Sequence, residues 1–184
     1  MVVSPLIALI KDQIDHLIKL GVDARSINSR MNQEDRNIVV SDLLTHNPST
    51  KLLYVTPERI SDVKFKEVID RMVAEDKISF FVIDEAHCVS EWGHDFRPDY
   101  AQLKVLRIKD DRVPIIALTA TASTSVMDDI ISTLSFRMGY KTFKIPCHRS
   151  NLFYEVQYKN TTEVSITLKQ SSVMKSLLEK GQFG

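Results

Sequence analysis

The segment ISFFVIDEAHCVSEWGHDFRPDY, residues 78–100, opens on an apolar run from Ile78 to Ile83 that only Ser79 interrupts. A run of this kind is the pattern of a strand buried on both faces of a parallel sheet. It stops at Asp84-Glu85, which places two carboxylates at the carboxyl end of the strand. Open α/β sheets bind their ligands at that edge. A metal-nucleotide site needs this arrangement, with one carboxylate to hold Mg²⁺ and a second to orient an attacking water. Two acids alone are equally consistent with a strand ending in a charged turn.

Outward from this segment, strands and helices alternate. Met1-Val2-Val3 reads as the end of a strand, and Ser4-Pro5 as the N-cap and first position of a helix. Apolar residues from Leu6 to Ile18 recur at helical spacing, and Gly21 closes that helix in a left-handed cap. A short strand is predicted near Ala24–Ile27, then a helix capped by Asn32 and ending at about Leu44. Lys51–Val55 reads as a strand leading into Thr56-Pro57, and 63–74 as a helix. Beyond the central segment, Pro98 to about Arg107 is predicted helical, and Pro114–Leu118 a strand ending in Thr119-Ala120-Thr121-Ala122. Ser123 or Thr124 caps a helix reaching about Leu134. This rhythm specifies an α/β fold with a parallel sheet and helices on both faces. The composition changes after Phe136, where Lys141–Ile145 and Leu152–Tyr158 read as strands and Ser172–Lys180 as a short helix. The predicted division is therefore 1–136 and 137–184.

Bulk properties narrow the function classes. With 43% hydrophobic residues and five glycines, the 184 residues can bury a core. Lys+Arg and Asp+Glu are both 24, so a nucleic-acid contact has to be local rather than driven by a global basic field. The two cysteines give no disulfide framework. No apolar run approaches a membrane span. A zinc reading of His87, Cys88, Glu91 and His94 fails on ligand spacing, so no structural zinc is expected. There is no G-x-S-x-G elbow for a hydrolase triad.

The loop after the carboxylates carries Trp92, His94, Phe96, Arg97 and Tyr100. Aromatic faces stack on unpaired bases and arginine pairs with phosphate; the alternative is a small satellite core under the loop. His87 could hydrogen-bond a phosphate-sensing partner, or be an ordinary loop histidine. Thr119 and Thr121 stand at another strand end, where they bridge a nucleotide site to DNA or simply form a capped turn. Ser4-Pro5 and Thr56-Pro57 mark two further strand ends, where helix N-termini can hold phosphates. The joint placement of all these residues after strands, on one sheet edge, is the informative feature.

These residues resemble the RecQ family of ATP-dependent DNA helicases, within helicase superfamily two. SPLIALIKDQ (4–13), YVTPER (54–59), VIDEAHCVSEWGHDFRPDY (82–100), ALTATA (117–122) and CHRSNLFYEV (147–156) are similar to its motifs Ia, Ib, II with the aromatic-rich loop, III, and the opening of the second lobe in a eukaryotic-like form. The resemblance implies an incomplete first RecA-like lobe over 1–136, and a connector with the beginning of a second RecA-like lobe over 137–184. It implies ATP and Mg²⁺ as cofactors, with Asp84 holding the metal, Glu85 activating the attacking water and His87 relaying the nucleotide state. Thr119 and Thr121 would complete the nucleotide side and link the lobes. Ser4, Pro5, Thr56, Pro57, Trp92, His94, Phe96 and Arg97 would face DNA, single-stranded and partly duplex. Unwinding three-prime to five-prime in recombination, repair and replication, in the nucleus and without a membrane, follows from the same resemblance.

The departures carry equal weight. No G-x-x-x-x-G-K-[ST] occurs in the chain, so the backbone cradle and phosphate lysine are not supplied by these residues. The expectation is a fragment or truncated product, marginally stable and inactive alone, with the Ile78–Ile83 ladder exposed by loss of a neighbouring phosphate-loop strand. The alternative is a truncated, non-catalytic isoform that binds single-stranded DNA or a partner through Trp92–Tyr100.

Overall fold

The computed structural model describes residues 1–92, 95–109, 112–145 and 151–153, and the chain divides into two compact units, Met1–Lys141 and Thr142–Gly184. His94, the predicted helix at Ser172–Lys180 and most of the predicted strand at 152–158 lie outside the described residues. In the second unit, Thr142–Ile145 has no regular secondary structure, so the strand predicted over Lys141–Ile145 does not form. Phe143 and Ile145 are almost fully exposed there, and no neighbouring strand within the described residues satisfies their backbone.

The first unit is built on five parallel strands, β1 (Val2–Val3), β2 (Ala24–Ile27), β3 (Leu52–Val55), β4 (Phe81–Ile83) and β5 (Ile115–Ala117), in the spatial order β2-β3-β1-β4-β5. The connecting helices are α1 (Ile7–Lys19), α2 (Gln33–Leu43), α3 (Pro57–Ile60), α4 (Val63–Ala74), α5 (Pro98–Ala101), α6 (Val105–Lys109) and α7 (Thr124–Thr133). Short 3₁₀ turns at Ala86–Val89 and Gln102–Lys104 complete the connections. The predicted helix over 98–107 is thus three consecutive helical pieces.

Local chemistry sets most of the boundaries. Asn32, Asp62 and Ser123 each accept a backbone N–H in the first turn of α2, α4 and α7, satisfying donors that helix starts leave open. Gly21, at φ +76°, closes α1. Its N–H bonds the Ile18 carbonyl at 2.9 Å and Val22 N–H bonds the Leu17 carbonyl at 3.0 Å, the two bonds of a Schellman cap. Ser4 does not cap α1 as its sequence position suggests. The helix begins three residues later, after Leu6, which makes no side-chain cap, and the Ser4 hydroxyl is used elsewhere.

Register divides the sheet into two unequal faces. Ile27, Val55, Val3 and Ile83 align across four strands and are each 0% exposed. They pack with Val39 and Leu43 of α2, Phe65 and Ile69 of α4, and Val126 and Ile130 of α7 into one core. The next row, Ser26, Tyr54, Val2, Val82 and Ile116, points to the other face. There α1 lies over β2 and β3, where Asp12, Gln13, His16 and Leu17 meet Tyr54. Towards β5 the cover ends, and Phe80, Ile116 and Leu118 are 49%, 41% and 48% exposed.

Two expectations are corrected by this topology. β4 is fully buried on one face only, because Val82 is half-buried and Phe80 exposed. Nor is its ladder open, because β1 and β5 flank it on both sides. Phe81 N–H bonds Pro114 O, and the N–H groups of Val82 and Asp84 bond Met1 O and Val3 O, each at 2.9 Å. Among the described residues, the ladder with no outer neighbour beside the carboxylate-bearing region is that of β5, one strand further out.

Candidate functional site

The carboxyl ends of β1 and β4 lie side by side, with Val3 opposite Ile83, so the next residues, Ser4 and Asp84, meet. Ser4 Oγ donates to Asp84 Oδ2 at 3.0 Å, and Glu85 N–H donates to Asp84 Oδ1 at 3.0 Å. Both carboxylate oxygens are thereby oriented. Beneath them, the hydroxyl of buried Tyr100 donates to the Asp84 main-chain carbonyl at 2.9 Å. Burial, with Cys88 and Asp84 close by, pushes the Tyr100 phenol well above its ordinary pKa, so it remains a donor.

Glu85 is in the left-handed region at φ +49°, a conformation that costs a non-glycine residue of order 1 kcal/mol or more. The turn has a geometric result. It drives the chain from β4 straight into the 3₁₀ turn Ala86–Val89, and Ala86 N–H bonds the Leu118 carbonyl beyond β5 at 2.8 Å. His87, 5% exposed, comes to lie between the two strand ends. Its Nδ1 is 3.2 Å from Glu85 Oε2 and 3.0 Å from Thr119 Oγ1. Thr119 Oγ1 in turn donates to Thr121 O at 3.1 Å and accepts Thr121 N–H at 3.2 Å. His87 Nδ1 therefore stands between the Glu85 carboxylate and the hydrogen-bonded Thr119–Thr121 turn, joining the ends of β4 and β5.

The loop beyond the 3₁₀ turn shows two kinds of side chain. Trp92 is 81% exposed, which removes the satellite-core reading for its indole, and Phe96 is partly exposed. Arg97 is held by Asp95, with Nε and Nη2 at 3.1 and 2.8 Å from Oδ2, and its N–H bonds the Cys88 carbonyl at 3.0 Å. The Asp95 carboxylate raises the already high Arg97 pKa. Buried Cys88 has its thiol pushed up to about 11 by desolvation, so at neutral pH it carries no thiolate.

At the neighbouring end of β3, Thr56 is 1% exposed and its buried hydroxyl has no hydrogen-bond partner among the described residues. Pro57 is buried as the first residue of α3. Ser4 N–H bonds Val55 O at 3.0 Å, so the Ser4-Pro5 and Thr56-Pro57 corners are adjacent on the same sheet edge. The structure thus gathers Ser4, Asp84, Glu85, His87, Thr119 and Thr121 into one cluster, with Thr56 and Pro57 beside it. Trp92, Phe96 and Arg97 lie on the adjoining loop.

Three roles were not legible beforehand. Tyr100 reads in sequence as one more loop aromatic, yet it supports the Asp84 backbone. Ser90 donates to Asp129 Oδ2 at 2.5 Å and accepts Trp92 N–H at 3.2 Å, joining the loop to α7. Asp129 lies in an early turn of α7, a position that the helix dipole favours whether or not the residue has a partner.

Comparison with known proteins agrees with this geometry. Residues 1–130 match the model of the DEAD/DEAH box helicase family. The chain is 44% identical to the ATP-dependent DNA helicase Q5 of Mus musculus over 184 residues, covering 100% of this chain and 19% of that protein. It is 41% identical to the ATP-dependent helicase SGS1 of Saccharomyces cerevisiae over 169 residues, 89% of this chain and 11% of that protein. It is 40% identical to the RecQ-like DNA helicase BLM of Xenopus laevis over 167 residues, 90% of this chain and 12% of that protein. The chain spans less than a fifth of the length of each of these relatives. With its RecQ-type homologues and a family match across the whole five-stranded sheet, the chain belongs to the DEAD/DEAH box helicase family.

Proposed function

We propose that this chain is the carboxylate-bearing and DNA-sensing part of an ATP-dependent DNA helicase motor that moves three-prime to five-prime. Residues 1–136 act as the first RecA-like lobe, and 137–184 as the connector and beginning of the second. The observation that carries the reading is the placement of His87 Nδ1, 3.2 Å from the Glu85 carboxylate and hydrogen-bonded to Thr119, because it ties a water-orienting carboxylate just past β4 to the end of β5.

The residues fit the metal. Asp84 is a partly exposed, acceptor-only carboxylate at a strand end, already aimed by Ser4 and the Glu85 N–H. One such carboxylate, with waters and phosphate oxygens, is the donor set that Mg²⁺ prefers. When bound, Mg²⁺ neutralises charge on the transferred phosphoryl oxygens. ATP itself fits these residues in part, since the 184 residues contain no G-x-x-x-x-G-K-[ST] to cradle its phosphates. Glu85 orients the water, and His87, beside the Glu85 carboxylate, holds it and reports its state to Thr119 and Thr121. Trp92 and Phe96 stack on unpaired bases while Arg97, with His94 in the same loop, meets phosphate. The Ser4-Pro5 and Thr56-Pro57 corners line the same DNA path. Such a motor serves recombination, repair and replication in the nucleus.

The reading is tested by replacing the matched segment of mouse helicase Q5 with these 184 residues. The chimera should hydrolyse ATP with DNA stimulation, and Glu85→Gln should lower kcat by about 100-fold or more, the contribution of a positioned general base. Hydrolysis in the Glu85→Gln chimera equal to that of its parent would overturn the assignment of Glu85. The isolated chain should show no DNA-stimulated hydrolysis. The exposure of Trp92 also favours a second reading, a non-catalytic module that binds single-stranded DNA or a partner. That reading predicts an inactive chimera whose chain still binds oligonucleotide.

A further inference from the structure

We propose that Ser90 and Asp129 are positioning residues that tether the Trp92 loop to α7, so that the DNA-facing indole and the Thr119–Thr121 strand end move as one body. The inference rests on the DNA-sensing reading of the loop, but its structural half can be tested without it.

Ser90 follows the 3₁₀ turn and is 1% exposed. A serine hydroxyl offers one proton and two lone pairs. Here the proton goes to Asp129 Oδ2, and a lone pair accepts the backbone N–H of Trp92 at 3.2 Å. The residue's own N–H is bonded to the His87 carbonyl at 3.1 Å. Ser90 therefore has contacts in three directions: back to the histidine that joins the two strand ends, forward to the tryptophan backbone, and across to α7.

Asp129 is half-buried and lies one and a half turns into α7, the helix that follows Thr119–Thr121 directly. The segment 84–92 is consequently bonded to the segment 119–129 at two separate points, His87 to Thr119 and Ser90 to Asp129. Ala86 N–H also bonds the Leu118 carbonyl, so the 3₁₀ turn is already fixed to the β5 end near its start. Ser90–Asp129 adds the link at its far end, beside Trp92, so a shift of the β5 end relative to β4 carries the Trp92 backbone with it. Charge-assisted hydrogen bonds are the stronger kind, which suits Ser90–Asp129 to this work. The indole itself stays 81% exposed, so the tether fixes the backbone and leaves the ring face available.

The chain contains one tryptophan, Trp92, so its intrinsic emission reports on the loop alone. The variants Ser90→Ala and Asp129→Ala remove the donor and the acceptor, whereas Asp129→Asn keeps an acceptor oxygen. In the 184-residue chain, both alanine variants should lower Trp92 anisotropy and raise its acrylamide quenching, and Asp129→Asn should stay near wild type. Affinity for oligo-dT should fall about three- to tenfold in each alanine variant, the size of one coupled contact. The double variant should be no worse than either single one. Far-UV circular dichroism and urea midpoints show whether each variant is folded, and Asp129→Ala, set against Asp129→Asn, carries the comparison if Ser90→Ala is not. Unchanged anisotropy in a folded, merely less stable alanine variant would overturn the tether and leave a packing role only. If wild type fails to bind oligo-dT while the anisotropy changes appear, the tether stands and the DNA-sensing reading falls.

Discussion

Tyr100 is the largest of the fully buried side chains, and its hydroxyl supports the main-chain carbonyl of Asp84 from below. Tyr100→Phe keeps the ring and removes only that donor, leaving a buried carbonyl short of a partner. The expected cost is about 1–2 kcal/mol, read as a lower urea midpoint with an unchanged slope. Coincident unfolding curves would show that water replaces the hydroxyl. At this scale the sequence marked Asp84, Glu85, His87, Thr119 and Thr121 as residues that end strands. It did not reveal that the histidine bridges the glutamate and the threonine, because that pairing joins positions 32 residues apart. Nor did it show that Ser4 turns its hydroxyl to Asp84 rather than to its own helix. That choice depends on β1 and β4 being neighbours.

Elements with strong local signals were readable almost to the residue. α4 occupies Val63–Ala74 and β2 occupies Ala24–Ile27, because an Asp62 cap and turn residues bracket them. The end of α2 shows how a local element also acquires pH dependence. Asp42, in its last turn, accepts the Thr50 hydroxyl at 2.6 Å and the N–H groups of Ser49 and Thr50 at 2.9 and 3.0 Å. Burial alone would raise its pKa, but these hydrogen bonds outweigh burial and hold the carboxyl well below the usual range. A depressed carboxylate contributes stability above its unfolded pKa, roughly 4, and loses it as pH falls towards the lower folded value. Wild-type urea midpoints should therefore drop progressively below about pH 4. Asp42→Asn should be less stable at pH 7 and show a shallower acid slope. Parallel pH profiles for the two proteins would assign the acid sensitivity to other groups, such as Asp23 and Asp62, whose pKa values are also lowered.

At the scale of the first unit, the sheet order sets what is exposed. The outer edge of β5 has no strand beside it among the described residues, and Phe80, Ile116 and Leu118 lie uncovered nearby. A parallel sheet is ordinarily covered on both faces, and an open edge next to exposed apolar side chains invites association. Sedimentation of the isolated chain should show concentration-dependent self-association, and Ile116→Lys should shift it towards monomer. A wild-type chain that stays monomeric across the accessible concentration range would show that the face is tolerated in water.

The sequence by itself determined the class of fold, most of the run of strands and helices through α7 (though not α3, nor the breaks within 98–109), and which residues follow the strand ends. Those depend on local periodicity, caps and turns, which are written into neighbouring residues. Only the tertiary structure decided the order of the strands, which face α1 covers, and hence that β4 is flanked on both sides while β5 has no outer neighbour among the described residues. It also decided that Tyr100, Ser90 and Asp129 serve the site. The physical reason is the same in each case. A parallel sheet brings together segments separated by tens of residues, and the partners its register selects leave no periodic trace in the chain.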